Sequence, residues 1–448
     1  MSFATANAEL TDRLVAMRAW LQRHDIVARQ EARVIAEDGH IMRMLPLHFL
    51  FDRRDAAALA EAAFALMDLQ TRLMRGWIDR LGRDGFLDMF GVPDPMRRLV
   101  NWDALLDTRH LVSRMDILPG RDGYSFCEFN TDTCVAAAEI FDFCDLYFQD
   151  LGFDLRGAFG AVAPLADLAA MIARRAAEQR AARIVILDWS VDGGSPGKGY
   201  LSFDRMKGYL ERQAPGIPVH IENEKSFDTA WLTAAEAPRT LVYRAFVMQE
   251  MDDGGAFLDR LIAAGCTVFA THEAEIRMDK GWFALFHDPD VQKELSDAER
   301  ALVATYIPWS RTLTPDTLDD VIRDKDAFFF KERRSYGGTG ILVGAQTPAE
   351  DLRSVLGGEA CRDWIAQRVM PLETIHFPND GRLEPQPHEV VLGLYIYGDR
   401  ANGMLVRGST HSKVVNVTVG NAKLAWGLCV DDAQRSTLLS HLTRGPAC

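Results

Sequence analysis

The sequence lacks several features that would place a protein in a familiar class. Its seven cysteines are scattered and none forms a CxxC pair, which argues against a disulfide framework and a clustered zinc site. No run of about 20 apolar residues is present, so no transmembrane helix is predicted. Lysine and arginine total 50 against 64 acidic residues, and the formal net charge of -14 argues against a nucleic-acid partner.

A targeting signal is also missing from the sequence pattern. The opening stretch, MSFATANAELTDR, has no basic segment followed by an apolar one, so no signal peptide is predicted. The chain is 48% hydrophobic and 25% charged, as is typical of globular proteins, and its 448 residues suggest two or three packed units. We therefore expect a soluble, cytoplasmic protein.

What the sequence does contain is a succession of helical and strand patterns typical of an α/β protein. Residues 1–98 are predicted to be helical, because apolar residues recur three and four positions apart. This stripe comprises Leu59, Ala62, Leu66, Leu69, Leu73 and Trp77. Further on, RIVILDW, IPVHIEN, TLVYRAF and TVFAT alternate with helical segments, which predicts a parallel, Rossmann-like sheet. A glycine-rich loop follows the first of these strands at 191–199, and the apolar stretch 157–173 is predicted to be one helix.

Two short strand-like segments carry the first group of candidate functional residues. Arg114 and Asp116 lie two apart, as do Glu128 and Asn130, and a turn rich in glycine separates the pairs. Side chains two apart in a strand face the same side, so paired strands would bring the four together. Oxygen ligands of this kind suit Mg²⁺, and arginine suits a phosphoryl group. The alternative is a salt-bridged surface hairpin.

A lysine before a glycine-rich turn is the second candidate. Lys331 ends an apolar strand, and Gly337, Gly338 and Gly340 follow it before another strand. Such a turn can donate backbone N–H groups to phosphates, while the lysine supplies a positive charge. The order of lysine and glycines excludes a P-loop. A plain tight hairpin is the alternative.

Two more segments add polar groups at strand ends. Gln367 lies in the strand pattern WIAQRV and could read an adenine base, although a plain strand is the alternative. Arg407 ends the second strand of a hairpin that turns at Gly398 and Asp399. It would point at whatever that hairpin covers, and the alternative is a surface hairpin.

In order and spacing, these segments resemble the circularly permuted ATP-grasp ligases, which include glutathionylspermidine synthetase and eukaryotic-type glutathione synthetase. The match runs from about 100 to 430 and is clearest at RMDILPGRDGYSFCEFNTDT, DKGWFALFHDPD, FFFKERRSYGGTGILVG and GLYIYGDRANGMLVR. It implies a circularly permuted ATP-grasp fold. The expected parts are a helical N-terminal region (1–98), a metal-ligand segment (99–150), a Rossmann-like domain (151–279) and the ATP-grasp lobes (280–448).

The resemblance also implies a role for each motif residue. Asp116, Glu128 and Asn130 correspond to magnesium ligands, and Arg114 and Arg407 to arginines near the transferred phosphoryl group. Lys280, Lys331 and Gln367, together with the glycines at 337, 338 and 340, correspond to the ATP site. Arg244 is followed by Ala245 where relatives often carry a second arginine, so no role is carried over. Residues 189–204 also depart from the short acidic stretch of many relatives.

The function implied is ATP-dependent joining of a carboxylate to an amine through an acyl phosphate, releasing ADP and phosphate. ATP and Mg²⁺ are the expected cofactors, a small-molecule carboxylate and amine the expected substrates, and a homodimer is one assembly open to it. No membrane partner is expected. Three alternatives stay open: a catalytically inactive nucleotide-binding scaffold, an ATP-grasp enzyme with a non-amine acceptor, and an α/β binding module that does not bind ATP.

Overall fold

The structure is a computed structural model that describes residues 3–38, 43–109, 111–133, 137–161, 163–190, 202–411, 414–417 and 421–444. The glycine-rich loop predicted at 191–199 lies outside these ranges. Within them the chain is a mixed α/β protein built on three β-sheets. None of the helices in the described ranges is long and apolar enough to cross a membrane.

Eighteen α-helices are distributed along the described part of the chain. They are α1 (Phe3–Ala16), α2 (Arg18–Arg23), α3 (Ile26–Asp38), α4 (Arg53–Met89), α5 (Asp94–Arg97), α6 (Trp102–Leu105), α7 (Ile140–Asp150), α8 (Leu155–Phe159), α9 (Pro164–Glu178), α10 (Ser202–Gln213), α11 (Ala256–Ala264), α12 (His272–Met278), α13 (Gly281–Leu285), α14 (Pro289–Glu294), α15 (Asp297–Tyr306), α16 (Pro315–Arg323), α17 (Ala349–Leu356) and α18 (Asp432–Arg444). The predicted apolar stripe lies on α4, where all six of its residues are buried.

In the part of the chain that the structure describes, fifteen strands form the three sheets. They are β1 (Phe49–Asp52), β2 (Val112–Gly120), β3 (Gly123–Asn130), β4 (Arg183–Leu187), β5 (Val219–Glu222), β6 (Thr240–Arg244), β7 (Thr267–Phe269), β8 (Ser310–Thr312), β9 (Phe328–Glu332), β10 (Ile341–Val343), β11 (Trp364–Arg368), β12 (Ile375–Pro378), β13 (Pro385–Tyr397), β14 (Arg400–Ser409) and β15 (Lys423–Val430).

The central sheet has the order β1-β15-β14-β13-β2-β3, and β12 also pairs with β13. Its strands are antiparallel except that β1 runs parallel to β15. The prediction that residues 1–98 are helical is therefore wrong at 49–52. The segment FLFD is apolar and short enough to serve as an edge strand, and its backbone pairs with β15.

The second sheet is parallel, as predicted, with the order β5-β4-β6-β7. The prediction of one helix over 157–173 is wrong. Gly160 adopts a φ of 62° and ends α8, and α9 starts afresh with Pro164 at its first turn. A left-handed glycine after a helix and a proline at the next helix start are ordinary boundary signals.

The third sheet is antiparallel, with the order β10-β9-β11-β8, and has a hydrophobic core of its own. Leu318 and Val321 of α16, Leu352 of α17 and Phe330 of β9 belong to this core. A much larger core joins the N-terminal helices to the central sheet. Because the third sheet packs largely on its own apolar side chains, the polar side chains between it and the central sheet are not needed for that core.

Candidate active site

The β2–β3 hairpin places the first predicted group of residues side by side. Arg114 lies opposite Asn130, and Asp116 lies opposite Glu128. The register then shifts between Asp116 and Ile117, which leaves Cys127 as the extra residue of a β-bulge on β3. The middle of the hairpin is not on the surface, because Asp116 is only 2% exposed, whereas its turn at 121–123 is exposed.

Two arginines bind the Asp116 carboxylate from different strands. Arg114 Nε lies 3.1 Å from Asp116 Oδ1, and Arg407 Nη2 lies 2.5 Å from Asp116 Oδ2. Burial alone would raise the pKa of Asp116, but the positive charges of Arg407 and Arg114 outweigh it and hold the pKa below its usual value. The Nε of Arg407 donates to no acceptor among the described residues. The arginine therefore keeps a donor for a further acceptor.

Glu128 is paired with a lysine from a distant segment. Lys280 Nζ lies 2.8 Å from Glu128 Oε1 and also donates to the carbonyl of Ser335 at 2.5 Å. Asn130 Nδ2 donates to the carbonyl of Arg114 at 3.2 Å, which leaves its amide oxygen facing away from this bond. Lys280, which was predicted to bind ATP, thus contacts Glu128, which was predicted to bind the metal.

Lys331 lies on β9 and reaches across to the hairpin. Its Nζ donates to the carbonyl of Cys127 at 3.0 Å. The turn after β9 contains Gly337, Gly338 and Gly340, with φ values of 64°, 79° and 63°. A Cβ on Gly338 would lie 2.9 Å from Asn416, so this turn approaches residues 414–417 too closely for a larger residue.

These side chains line a cavity of about 300 Å³ between the central sheet and the third sheet. Of the predicted residues, six lie in its wall: Asp116, Glu128, Lys331, Gly338, Gln367 and Arg407. The other five, Arg114, Asn130, Lys280, Gly337 and Gly340, do not line it. Arg114 and Lys280 nevertheless bind two residues of the wall.

Gln367 marks the apolar end of this cavity. It lies on β11 opposite Phe329 and is 2% exposed. Its Nε2 has no hydrogen-bond partner in the part of the chain that the structure describes. A buried amide donor without a partner costs free energy, so the group is suited to a ligand acceptor. Phe329, Met370 and Leu372 add apolar wall nearby.

The fold of this chain is similar to that of a solved protein. No protein-family model matches the chain, and no curated protein matches it. Among solved structures it resembles a glutathione synthetase-like effector from Globodera pallida in its apoform. The TM-score is 0.59 and the sequence identity 10%, over 91% of this chain and 97% of that one. The chain has a glutathione synthetase-like fold.

A second solved structure is more distant. It is a candidate gamma-glutamylcysteine synthetase from Methylobacillus flagellatus KT, with a TM-score of 0.40 and 11% identity over 85% of this chain and 93% of that one. The first likeness confirms a mixed α/β protein with a glutathione synthetase-like fold. Circular permutation, the likeness to glutathionylspermidine synthetase and the residue roles stay predictions.

The donor set fits a magnesium ion only in part. Among the described residues, no group of three His, Cys, Asp or Glu side chains lies close enough to hold a metal ion. Both oxygens of Asp116 are engaged by arginines, and one oxygen of Glu128 is engaged by Lys280. Glu128 keeps a second carboxylate oxygen and Asn130 its amide oxygen, so an ion here would need further oxygen ligands from a bound nucleotide.

Glu389 and Cys127 are among the cavity residues that were not predicted from the sequence. Glu389 lies on β13 two positions before Val391, which is opposite Arg407, and both line the cavity. A single glutamate in an apolar strand gives little local signal, although its spacing from Gly393 would place it on the same face. Cys127 also lines the cavity, and burial raises the pKa of its thiol to about 12, so it stays neutral.

Proposed function

We propose that this chain is an ATP-dependent ligase that joins a carboxylate to an amine through an acyl phosphate, with release of ADP and phosphate. The observation that carries the proposal is the cavity between two sheets, where Lys331 and Arg407 face Glu128 and Asp116, with Gln367 at the apolar end. Its occurrence in a glutathione synthetase-like fold supports this choice. We also propose that the order of the motifs reflects a circularly permuted ATP-grasp arrangement.

In this proposal the apolar end of the cavity accepts the nucleotide base. The unpartnered Nε2 of Gln367 would donate to a ring nitrogen, while Phe329 and Met370 exclude water. Lys331 would place its positive charge on the phosphates from the strand before the glycine-rich turn. When bound, Mg-ATP would supply the phosphoryl group that activates the carboxylate.

Charge at the other end of the cavity would stabilise the reacting groups. Glu128 and Asn130 would contribute oxygen ligands to a magnesium ion. Arg407 has an unused Nε donor and would bind negative charge that develops on the substrate oxygens. Arg114 holds Asp116 from the opposite side, which fixes the carboxylate that orients Arg407. Most of the rate enhancement would come from positioning and charge stabilisation.

One observation favours a nucleotide-binding scaffold as the second candidate. Both proposed metal-binding carboxylates are already neutralised by cations of the chain, Asp116 by arginines and Glu128 by Lys280. A scaffold could keep these ion pairs without turning over ATP, whereas an enzyme must also bind the metal through the second oxygen of Glu128. Turnover therefore separates the two candidates more clearly than binding does.

The experiment is product analysis by mass spectrometry with Mg-ATP and a panel of amino acids, small carboxylates and polyamines. The expected result is a condensed product with one ADP and one phosphate for each bond formed. Stoichiometric AMP and pyrophosphate would contradict the phosphoryl-transfer route. Tight ATP binding without hydrolysis across the whole panel would favour the scaffold.

A further inference from the structure

A buried ion pair beside the cavity joins two segments that are far apart in the sequence. Arg333 Nε and Nη2 lie 3.0 and 2.8 Å from Asp279 Oδ1 and Oδ2, respectively, so the guanidinium binds the carboxylate with both arms. The two side chains are 13% and 2% exposed. Arg333 lies two residues after Lys331, and Asp279 directly precedes Lys280.

Backbone contacts reinforce the same junction. The amide of Lys280 donates to the carbonyl of Arg333 at 3.0 Å, and Lys280 Nζ donates to the carbonyl of Ser335 at 2.5 Å. The amide of Gly281 donates to Asp279 Oδ1 at 2.6 Å. A Cβ on Gly281 would lie 2.7 Å from Arg333 Nε, so the junction has no room for a larger residue.

We propose that Arg333 and Asp279 are positioning residues that hold Lys331, Lys280 and the base of the glycine-rich turn as one rigid unit. The inference rests on the proposed function, because it assigns both lysines to the nucleotide site. Neither residue lines the cavity, so each acts through its neighbours. A shift of the turn would move Lys331 relative to Cys127 and Lys280 relative to Glu128 together.

The geometry of the pair explains why an arginine is required. Guanidinium presents two parallel donors that match a carboxylate, whereas an ammonium group binds as a single point and leaves the orientation free. Arg333→Lys therefore keeps the buried charge and removes the orientation. Because the charge is kept, this variant avoids the large cost of leaving Asp279 buried without a partner.

The test combines hydrogen–deuterium exchange without nucleotide and calorimetry with Mg-ATP. In Arg333→Lys, amides in peptides covering 331–341 and 278–284 should both exchange faster, and the Kd for Mg-ATP should rise by about tenfold. Asp279→Asn should act in the same direction, because it keeps the acceptor for Gly281 and loses the charge. The matched control is Arg353→Lys on α17, which packs on the same sheet as β9; its pair with Asp319 is 53% and 76% exposed.

Two other results would overturn the inference. A lower melting temperature with unchanged exchange in the two peptides and unchanged affinity would mean a purely structural pair and would overturn the inference. Faster exchange in only one peptide would also overturn it, because the segments would not move as a unit. If the wild-type protein binds no Mg-ATP, the proposed function fails, and the exchange data alone still decide whether the pair couples the two segments.

Discussion

In two buried arginine–aspartate pairs the arginines lie on strands of different sheets, and the pairs differ in what surrounds them. Arg407 pairs with Asp116 in the wall of the cavity and keeps an Nε without a described partner. Arg244, at the end of β6, pairs with Asp132 and also donates to the carbonyls of Phe246 and Ala270. Arg244 is wholly buried, and it lines neither this cavity nor either of two other cavities in the described chain.

The comparison shows that burial of a charge does not by itself mark a functional site. A guanidinium whose donors are satisfied by the protein stabilises one arrangement of the chain. One that keeps an unused donor beside a cavity is prepared for a ligand. A change at Arg244 should therefore lower stability, and a change at Arg407 should lower activity.

The largest expected effect is on Glu128, which faces the Arg407 side of the cavity. In Glu128→Gln the side chain keeps its size and an oxygen for Lys280, but it loses the charge proposed to bind the metal. Turnover should fall by roughly a hundredfold or more. The melting temperature without nucleotide should change little, because Glu128 is 24% exposed and the hydrogen bond can persist.

The matched control for this variant is Glu236→Gln. Glu236 also pairs with a cation, Arg183, but lies beside the parallel sheet and lines none of the three cavities. Its turnover should equal that of the wild type. A Glu128→Gln protein that melts early yet makes product at the normal rate would show that the glutamate is a structural partner of Lys280.

Exchanging each arginine for lysine tests the comparison directly. Arg407→Lys should lower kcat by roughly tenfold or more, because a single ammonium lacks the separated donors by which the guanidinium binds Asp116 through Nη2 and keeps Nε available. Arg244→Lys should lower the melting temperature by several degrees, since two or more buried hydrogen bonds are lost. Steady-state kinetics and thermal unfolding of both variants provide the measurement. Equal kinetic losses in the two proteins would remove the distinction between the pairs.

A smaller effect is expected on the affinity for Mg-ATP. Lys331→Ala should weaken Mg-ATP binding by about tenfold, since one charge-assisted contact to phosphate is lost. The fold should persist, because the only hydrogen bond of the Lys331 side chain to a described residue is to the Cys127 carbonyl. Calorimetric titration of the variant and the wild type measures the change. Unaltered affinity would place the nucleotide away from β9.

The smallest expected effect is a pH dependence of stability that arises at Glu275, next to the Arg244–Asp132 pair. Glu275 is buried, and burial, followed by the negative charge of Asp132, raises its pKa to about 7. A carboxyl whose pKa is higher in the folded protein than in the unfolded chain stabilises the fold at low pH. That contribution is lost as the pH rises from the ordinary range of glutamate towards 7.

Glu275→Gln should therefore raise the melting temperature at pH 8 and have much less effect at pH 5. The amide oxygen can still accept the hydrogen bond that Gln249 donates to the carboxylate at 2.9 Å. Thermal unfolding of both proteins at the two pH values gives the comparison. The same difference at both values would show that Glu275 does not titrate in this range.

Much of the candidate site could be predicted because its signals are local. The spacing of Arg114 and Asp116, and of Glu128 and Asn130, identified the facing residues of a hairpin, and the pairing of those residues in the structure matches it. Strand and turn patterns likewise located β9, its glycine-rich turn and the β13–β14 hairpin.

The features that were missed depend on contacts between distant segments. No periodic pattern in the sequence predicts three of these contacts: the pairing of β1 with β15, the Lys280–Glu128 ion pair and the Arg333–Asp279 pair. The helix boundary at Gly160 is different, because Gly160 and Pro164 carried the signal and the apolar composition around them outweighed it. Fold class follows from pattern, whereas the partners of buried charges follow only from tertiary structure.

The edge strand β1 has a consequence for how the chain reaches its native state on the ribosome. Its residues 49–52 pair with residues 427–430, so two strands of one ladder are separated by almost the whole polypeptide. The central sheet cannot close until β15 has been synthesised, whereas all strands of the parallel sheet are complete by residue 269. In pulse-labelled nascent chains we expect β4–β7 to become protected first. The N-terminal helices should dock only after β15 has left the exit tunnel.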